Sequence, residues 1–399
     1  MKVLIISKHL LNLTDAQSQQ TLALIEAMQE ICERIDIITA TTIPAELSSL
    51  SYLTQKNTTI YTNNAEWITN GNSLFDKIKR KIHRNILAIM ESKWVISSQI
   101  LANNLDLEYN YSAIISIGLP IESHMVGLKL KNKSKWIAHF SDPWPESIMP
   151  KPYSDYSIPI INKLQKNVVK KVLNCAKIIT FTCTQSRDLF LNHYSFDAKK
   201  SYILPHIAPN PLYSVRKSED YFLITYAGSL SRERFFSDFF IAIANLPKSS
   251  NIVIQFIGYI HENAINLIKN LNIENRFIIR GQLNKEETLR YMQQSNALLL
   301  IEAKMEIYPF LPSKLADYSA IKNIPIYAVT GENSATSKLI LKYNAGFVST
   351  YNKDEIKNTL LTMEKIKFEQ NNKAESLYDF FSQHNVKDII QYIISNIIV

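Results

Sequence analysis

Short apolar runs alternate with segments of helical periodicity along the whole chain, and this alternation constrains the fold more than any other feature. Residues 2–7 form an apolar run typical of a strand that is buried on both faces. Residues 14–33 place apolar side chains at helical spacing, and residues 34–40 return to a β-branched run. Such strand–helix–strand units predict parallel sheets covered by helices.

The same pattern starts again in the second half of the chain. A strand is predicted at residues 221–227, and helices and strands then alternate until a final helix whose apolar stripe extends from Leu377 to Ile397. The stretch PHIAPNPLYSVRKSED, residues 205–220, breaks the periodicity with three prolines. Because 399 residues exceed what one core usually supports, we predict two α/β domains. The predicted boundaries are residues 1–205 and 221–370 for the domains, 206–220 for a linker, and 371–399 for a C-terminal helix that packs on the first domain.

The formal net charge of +8 and the pI near 9.0 favour an acidic partner. In the segment from Leu74 to Leu101, basic residues crowd the first half while apolar residues form one helical stripe. We predict an amphipathic helix here, which either packs on a core with a solvated basic face or rests on anionic headgroups. Because interleaved aromatic residues and a recognisable nucleic-acid module are missing, an anionic membrane surface is favoured over nucleic acid.

Cysteine usage and hydropathy indicate a cytoplasmic protein. Cys32, Cys175 and Cys183 have no CxxC spacing and are predicted to be buried thiols in a reducing compartment. The N-terminal residues lack a signal-peptide pattern, and no run approaches the roughly 20 apolar residues that span a bilayer. Together with the basic segment, these features predict a cytoplasmic protein that associates peripherally with a membrane.

The stretch from Ile301 to Val329 is the strongest candidate for a binding site. It is predicted to form the end of a strand, a loop, a short helix and another strand, at the sheet edge where open α/β folds bind ligands. Ser313, which follows Pro312, is a candidate N-cap, so the first backbone N–H groups of the helix, together with Lys314, would attract an anion. Asp317, about one turn further on, is placed to accept hydrogen bonds from ribose hydroxyls. The alternative is a solvated pair of Lys314 and Asp317 on a surface helix.

Turns after other strands of the second half add candidates for the same site. Arg232 and Arg234 occur in the turn GSLSRER, where their guanidinium groups are suited to hold a diphosphate opposite the lysine, or else face solvent. Gly281 and Gln282 follow a strand and are candidates to lie beside a flat base. The complete set of predicted ligand-binding positions in these turns is Gly228, Ser229, Arg232, Arg234, Gly258, Gly281 and Gln282.

A proline-rich loop, HFSDPWPESIMPKPYSDYS, follows a predicted strand in the first half. Its four prolines forbid regular structure, and such loops often carry function. His139 and Asp142, at the start of the loop, are therefore candidates to contact sugar hydroxyls. The alternative is that Asp142 caps the turn before Pro143 and that His139 ends its strand in a satisfied hydrogen bond.

The turn after the first strand, SKHLLNLTDAQSQQ, contains no glycine. The GxGxxG turn of dinucleotide-binding domains needs glycines for tight turning and for close approach of the pyrophosphate. A nicotinamide-dependent dehydrogenase is therefore disfavoured. The sequence also lacks a DxD-type metal motif where one would be useful, so no metal or other cofactor is expected.

These motifs resemble the GT-B glycosyltransferases, and more narrowly the family-4 retaining enzymes that build bacterial surface polysaccharides. The resemblance rests on YAGSLSRER, VIQFIG, FIIRGQLNKEETLRYMQQSNALLLI and FLPSKLADYSAIKNIPIYAV in the second half, and on HFSDPWPES in the first. It implies two Rossmann-like domains with parallel sheets that face across a cleft, and a C-terminal helix that crosses back to the first domain. It also implies Arg234 and Lys314 as a clamp for the donor diphosphate, Asp317 at the ribose, and Asp142 with His139 in the reaction crevice.

The activity that this resemblance implies is transfer of a sugar from a nucleotide-diphosphate donor, with a UDP-sugar favoured, to a hydroxyl of a glycan or lipid-linked acceptor. It places the enzyme in bacterial capsule, O-antigen or lipopolysaccharide synthesis at the inner membrane, with retention and without a metal. The chain departs from the family's usual pair of glutamates, because Pro309 and Asp317 occupy those positions, and Glu302 or Glu306 is a candidate substitute. A sugar-nucleotide epimerase and a non-catalytic GT-B-like partner subunit are the alternatives.

Overall fold

The computed structural model of the protein divides into two compact units. The first comprises Met1–Met149, Ser154–Ile207 and Gln383–Val399, and the second comprises Pro150–Tyr153 and Ala208–Ser382. The C-terminal residues thus belong to the first unit. The residues that the structure describes are 1–10, 15–41, 50–64, 73, 92–154, 158–215, 220–365 and 376–398.

Each unit contains a parallel sheet, as the strand–helix alternation predicts. The first sheet has the order β3-β2-β1-β4-β5-β6-β7 and consists of β1 (Lys2–Ile6), β2 (Arg34–Thr41), β3 (Thr58–Asn64), β4 (Ala113–Gly118), β5 (Trp136–Phe140), β6 (Ile178–Phe181) and β7 (Ser201–Ile203). After β8 (Leu212–Tyr213), the second sheet comprises β9 (Phe222–Ala227), β10 (Ile252–Ile257), β11 (Phe277–Ile279), β12 (Ala297–Ile301), β14 (Ile326–Val329) and β15 (Gly346–Ser349). Its order is β11-β10-β9-β12-β14-β15, and β13 (Ile321–Lys322) pairs with β8.

Helices connect successive strands and cover the sheets. The first unit contains α1 (Ala16–Gln29), α2 (Ser51–Thr54), α3 (Lys93–Tyr109), α4 (Glu122–Leu128), α5 (Pro159–Cys175) and α6 (Thr184–His193). The second contains α7 (Ser237–Ala244), α8 (Glu262–Asn270), α9 (Lys285–Gln293), α10 (Ser313–Ser319), α11 (Ala335–Lys342), α12 (Lys353–Lys365) and α13 (Leu377–Phe381), and α14 (Gln383–Ile398) returns to the first. Among the helices of the described ranges, none has the length and apolarity needed to cross a membrane.

The first sheet is buried on both faces, and its central strands are mostly apolar. Side chains that alternate along β1 enter two separate hydrophobic clusters, with Leu4 in one and Ile5 in the other. The second cluster also contains Ile390 and Ile393 of α14, so the apolar stripe of that helix is covered by the first unit. An ion pair of 2.7 Å between Lys387 Nζ and Glu30 Oε2 lies at the surface of this contact.

Two predicted helices differ in their extent from the structure. The predicted helix from Leu74 to Leu101 is not continuous, because Ser92 is extended and its side chain accepts a hydrogen bond from Val95 N, which makes it the N-cap of α3. Residues 74–91, which carry the basic cluster, lie outside the described residues. The predicted final helix is likewise broken, because Ser382 is extended and separates α13 from α14.

Two further features depart from the sequence-based expectations. Cys175 is exposed at the end of α5 rather than buried, whereas Cys32 and Cys183 are buried as predicted. The strand β3 was not predicted at all, because its sequence TTIYTNN is mostly polar. It forms an edge of the sheet and pairs with β2 alone, so its composition is not constrained by burial on both faces.

Candidate functional site

The order of the second sheet changes direction between β9 and β12. From β9 the chain adds β10 and β11 on one side, whereas β12, β14 and β15 extend the other. In open α/β sheets the crevice at such a point, beyond the carboxyl ends of the strands, is the usual ligand site. Gly228 follows β9, Glu302 follows β12, and α10 begins at Ser313 after the intervening loop.

Lys314 reaches from α10 to the end of β9. Its Nζ donates a hydrogen bond of 3.0 Å to Tyr226 Oη and lies 4.1 Å from the centroid of the Tyr226 ring. Gly228 makes room for it, because a Cβ on Gly228 would lie 2.5 Å from Lys314 Nζ. Burial, followed by the charge of Arg234, holds the pKa of Lys314 well below its usual value. The ammonium therefore lies where an anionic ligand would be favourable.

Arg234 approaches the same tyrosine from the turn after β9. One guanidinium nitrogen donates to the carbonyl oxygen of Ser229 at 3.1 Å. Burial by itself would lower the pKa of Arg234, but the phenol groups of Tyr226 and Tyr153 raise it. Two cationic side chains thus converge on Tyr226, and both can donate to phosphate oxygens.

Glu302 is a buried carboxyl at the end of β12, only 5% exposed. Thr330 Oγ1 donates a hydrogen bond to Glu302 Oε2, and the hydroxyl groups of Thr330, Thr336 and Ser334 lower the pKa of the carboxyl. Burial nevertheless raises the pKa of Glu302. Of the two glutamates considered as substitutes for the missing family position, Glu302 therefore lies inside the unit, whereas Glu306 is exposed.

Asp317 lies one turn beyond Lys314 on α10. Burial raises its pKa to about 6, while the charges of Lys285 and Lys314 oppose the rise. Lys285 begins α9, directly after the loop that contains Gly281 and Gln282. The positive charges of two lysines from different elements thus act on this carboxyl group.

Three glycines bring the loops after β9, β10 and β11 together. Gly228 N donates to Ile257 O at 2.7 Å, and Gly258 N donates to Gly281 O at 2.6 Å. A Cβ on Gly258 would lie 2.5 Å from the carbonyl oxygen of Gly228. The backbones of these loops are consequently in direct contact. All three glycines have positive φ, a conformation that residues with a side chain rarely adopt.

The structure corrects the predicted start of the short helix. The first residue of α10 is Ser313, and Pro312 takes the N-cap position with an extended backbone and no side-chain capping bond. Ser313 is therefore the first helical residue and not the N-cap that the sequence predicts. Pro312 makes no capping hydrogen bond because its side chain has no polar group. Arg232 and Gln282 are exposed side chains, and neither has a hydrogen bond to the cluster among the described residues.

In the first unit, His139 and Asp142 lie at the end of β5. His139 is buried, with Nδ1 2.9 Å from Thr180 Oγ1. Burial, and then the charge of His206, lowers the pKa of His139 to about 3, so the imidazole is neutral at physiological pH. Asp142 is exposed in the bend that follows the strand.

Sequence reasoning missed a second cluster in the first unit. The order of that sheet changes direction between β1 and β4, and Lys8 follows β1 there. Lys8 Nζ forms a buried ion pair of 2.8 Å with Glu122 Oε1, and Lys8 N donates to Ser123 Oγ at 3.1 Å. The lysine and the glutamate are separated by 114 positions, so only the strand order brings them together.

Comparison with solved structures shows which proteins share this architecture. The Anabaena protein Alr3699/HepE, solved with UDP and glucose, matches with a TM-score of 0.67 and 13% identity over 99% of this chain and 100% of that chain. The lipopolysaccharide outer core galactosyltransferase WaaB matches with a TM-score of 0.61 and 13% identity over 99% of each chain. A putative UDP-N-acetylglucosamine 2-epimerase from Listeria monocytogenes matches with a TM-score of 0.55 and 10% identity over 99% of this chain and 96% of that chain.

These likenesses confirm the predicted fold, an α/β architecture with two parallel sheets as in the GT-B glycosyltransferases. No protein-family model matches the sequence, and no curated protein has a significantly similar sequence.

Proposed function

We propose that the protein is a glycosyltransferase that uses a nucleoside diphosphate sugar as donor. The convergence of Lys314 and Arg234 on Tyr226, at the carboxyl edge of β9, is the observation that carries the proposal. Two partly buried cations that meet at one phenol group match the charge of a diphosphate. The matched HepE structure contains UDP and glucose, which supports a UDP-sugar as the donor.

In this proposal each residue of the cluster has a separate task. Lys314 and Arg234 bind the diphosphate oxygens, and Asp317 accepts hydrogen bonds from the ribose. Gly228, Gly258 and Gly281 keep the loop backbones close enough for the nucleotide to lie on them, with Ser229 and Gln282 at the rim. Glu302 positions the loop after β14 by accepting a hydrogen bond from Thr330 Oγ1.

The cations also suit the chemistry of transfer. When the bond between the sugar and the diphosphate breaks, negative charge grows on the leaving oxygen, and fixed positive charge lowers the energy of that state. Lys314 and Arg234 would supply this stabilisation directly, so the transfer needs no metal ion. We propose that the transfer proceeds with retention, and that neutral His139 and exposed Asp142 orient hydroxyls of the reacting sugars.

The acceptor is proposed to be a hydroxyl of a glycan or a lipid-linked glycan in surface-polysaccharide synthesis, such as capsule, O-antigen or lipopolysaccharide. The likeness to WaaB, a lipopolysaccharide outer core galactosyltransferase, supports this class. The basic segment of residues 74–101 would bring the enzyme to the anionic inner face of the membrane.

The likeness to a 2-epimerase favours one second candidate, a sugar-nucleotide epimerase. Such an enzyme would use the same diphosphate site but would change a stereocentre of the sugar instead of transferring it. Incubation of the protein with UDP-sugars, with and without acceptor glycans, separates the two. An epimerase produces a new UDP-sugar without acceptor, whereas a transferase releases UDP only when an acceptor is present.

Thermal stabilisation by nucleotides tests the donor site. Purified protein is heated with equal concentrations of UDP, GDP, CMP, TDP or NAD, and a ligand that binds the folded state raises Tm by mass action. We expect UDP to raise Tm in wild type and to lose most of this effect in Lys314→Ala. Lys322→Ala is the matched control, because Lys322 Nζ also lies over a tyrosine ring, at 3.9 Å from the centroid of Tyr378. A shift with NAD alone, or an unchanged UDP shift in Lys314→Ala, would contradict the proposal.

A further inference from the structure

The helix α5 exposes apolar side chains beside lysines. Ile158, at its N-cap, is 60% exposed, Ile160 is 67% exposed and Leu164 is 43% exposed. Exposed isoleucine and leucine side chains scattered singly need no explanation, but these three occur within seven residues at one end of one helix.

The exposed residues of α5 lie on one face. At 100° per residue, Ile160, Leu164 and the exposed lysines Lys163, Lys170 and Lys171 fall within a sector of about 120°. The opposite face contains Val169, Val172 and Leu173, which are fully buried in the core of the first unit. We call the exposed sector the α5 face. Its first two turns carry Ile160, Leu164 and Lys163, and its later turns carry Lys170 and Lys171.

The lysines of this part of the chain have no acidic neighbours in sequence. Residues 158–186 contain five lysines and neither aspartate nor glutamate, and Arg187 pairs with Asp188 at 3.2 Å. The helix lacks acidic residues in its first turn, where the helix dipole would favour them. A partner for this face must therefore carry negative charge and also accept aliphatic side chains.

We propose that the α5 face docks on an anionic lipid bilayer. Ile160 and Leu164 would enter the boundary between headgroups and acyl chains, while Lys163, Lys170 and Lys171 contact lipid phosphates. This surface consists of other residues than the basic segment 74–101, and Lys314, Arg234 and Tyr226 belong to the second unit. A negative result for membrane binding by the α5 face can therefore be distinguished from a negative result for nucleotide binding at the donor site. Nucleic acid matches the lysines but offers nothing to the exposed aliphatic side chains.

Binding of the full chain to vesicles tests the proposal. The probes are vesicles of phosphatidylcholine alone and of phosphatidylcholine mixed equally with phosphatidylglycerol, and the measurement is co-sedimentation at about 0.1 M salt, where the Debye length is near 10 Å. We expect Lys163→Gln/Lys170→Gln/Lys171→Gln to reduce partitioning on the order of 100-fold, because each lysine near an anionic surface contributes roughly fivefold. We expect Ile160→Ser/Leu164→Ser to reduce it on the order of tenfold, because these side chains lose apolar contact.

Matched variants of the second unit control for general loss of charge and of apolar surface. Lys248→Gln/Lys269→Gln/Lys353→Gln removes three exposed lysines, and Leu341→Ser removes an apolar side chain that is 63% exposed. Both variants are expected to bind vesicles like wild type. UDP-dependent thermal stabilisation should be the same in every variant, which shows that each one folds and retains its donor site.

An environment-sensitive dye distinguishes insertion from attraction by charge alone. The dye is attached to Ile160→Cys in a Cys175→Ser background, because Cys175 is the exposed native thiol. We expect its emission to shift to the blue with phosphatidylglycerol vesicles and to remain unchanged with a single-stranded RNA of equal charge. Unchanged emission on bound vesicles, or equal vesicle binding by Ile160→Ser/Leu164→Ser and wild type, would overturn the proposal. Tighter binding to the RNA than to the vesicles would also overturn it and would assign the face to nucleic acid.

Discussion

The replacement Lys314→Met should separate ligand binding from stability. In the free protein the replacement removes a hydrogen bond of 3.0 Å from Lys314 Nζ to Tyr226 Oη and a contact of 4.1 Å with the Tyr226 ring, which together contribute about 1 to 3 kcal/mol. Burial and the charge of Arg234 disfavour the charged form of Lys314, so removing this charge offsets part of the loss. The Tyr226 hydroxyl still donates to Ser229 O at 2.7 Å, so no buried donor is left unpaired. We therefore expect the free energy of unfolding to change by about 1 kcal/mol or less.

The same replacement should weaken the binding of a nucleoside diphosphate by more than it changes the stability. A charge-assisted hydrogen bond to phosphate contributes about 1.5 to 3 kcal/mol, so Kd should rise roughly 10-fold to 150-fold. Calorimetric titration with UDP measures this change, and chemical denaturation of the free protein measures the stability. Lys322→Met is the control, because it removes a lysine from the ring of Tyr378 and should leave Kd unaltered.

The pH dependence of UDP binding tests the same assignment. A lowered pKa means that the free protein loses the Lys314 proton at a lower pH than an ordinary lysine does. A bound diphosphate favours the ammonium, so binding takes up a proton once pH exceeds that lowered pKa, and affinity falls by up to about tenfold per pH unit. At the acidic end, affinity should fall below about pH 6 as Asp317 is protonated. Lys314→Met should abolish the decline in UDP affinity at alkaline pH and leave the decline at acidic pH. An unchanged alkaline decline in Lys314→Met would refute the reasoning, and so would a Lys314→Met protein that loses stability but keeps its affinity for UDP.

Three other perturbations have definite expected outcomes. Gly228→Ala should lower Tm and abolish UDP binding, because the added Cβ would lie 2.5 Å from Lys314 Nζ and because φ at this position is +122°. UDP binding equal to that of wild type would contradict this expectation. Asp142→Asn should reduce transfer while UDP titrations remain unchanged, and full transfer would remove Asp142 from the site. Glu122→Ala should lower the free energy of unfolding by about 3 to 5 kcal/mol because it leaves the buried Lys8 charge unpaired. The double variant Lys8→Met/Glu122→Leu should recover most of that loss in urea denaturation, and equal losses in both variants would show that packing dominates.

Much of the fold follows from local pattern. The strand β12 is apolar at every position and β4 at every position but Ser116, because both of their faces are covered, and this signal is visible in the sequence. Edge strands lack this constraint, so β3 was missed. The start of α3 after Ser92 and the break at Ser382 were missed for a different reason. Apolar spacing in the sequence can continue past an extended residue, so it does not reveal where a helix begins or ends.

The site was partly predictable for the same kind of reason. Lys314 and Asp317 are neighbours on one helix, and Gly228 follows a strand, so each is visible locally. The role of Tyr226 as the group that both cations share depends on the placement of α10 against β9, across 88 positions of sequence. The buried position of Glu302, as opposed to exposed Glu306, depends on the loop after β14 in the same way. Pairings that the tertiary fold creates leave no mark in local periodicity.

The two sheets differ in how they balance charge at the point where strand order reverses. In the first unit, Lys8 and Glu122 neutralise each other at 2.8 Å. In the second, Lys314 and Arg234 share a neutral tyrosine, and the carboxyls of Glu302 and Asp317 have raised pKa values, which weakens their ability to compensate. Positive charge is therefore less fully compensated in the second unit, and an anionic ligand would complement it. Since the first unit offers a balanced pair, this contrast favours the second unit for the nucleoside diphosphate and the first for an uncharged, hydroxyl-rich acceptor.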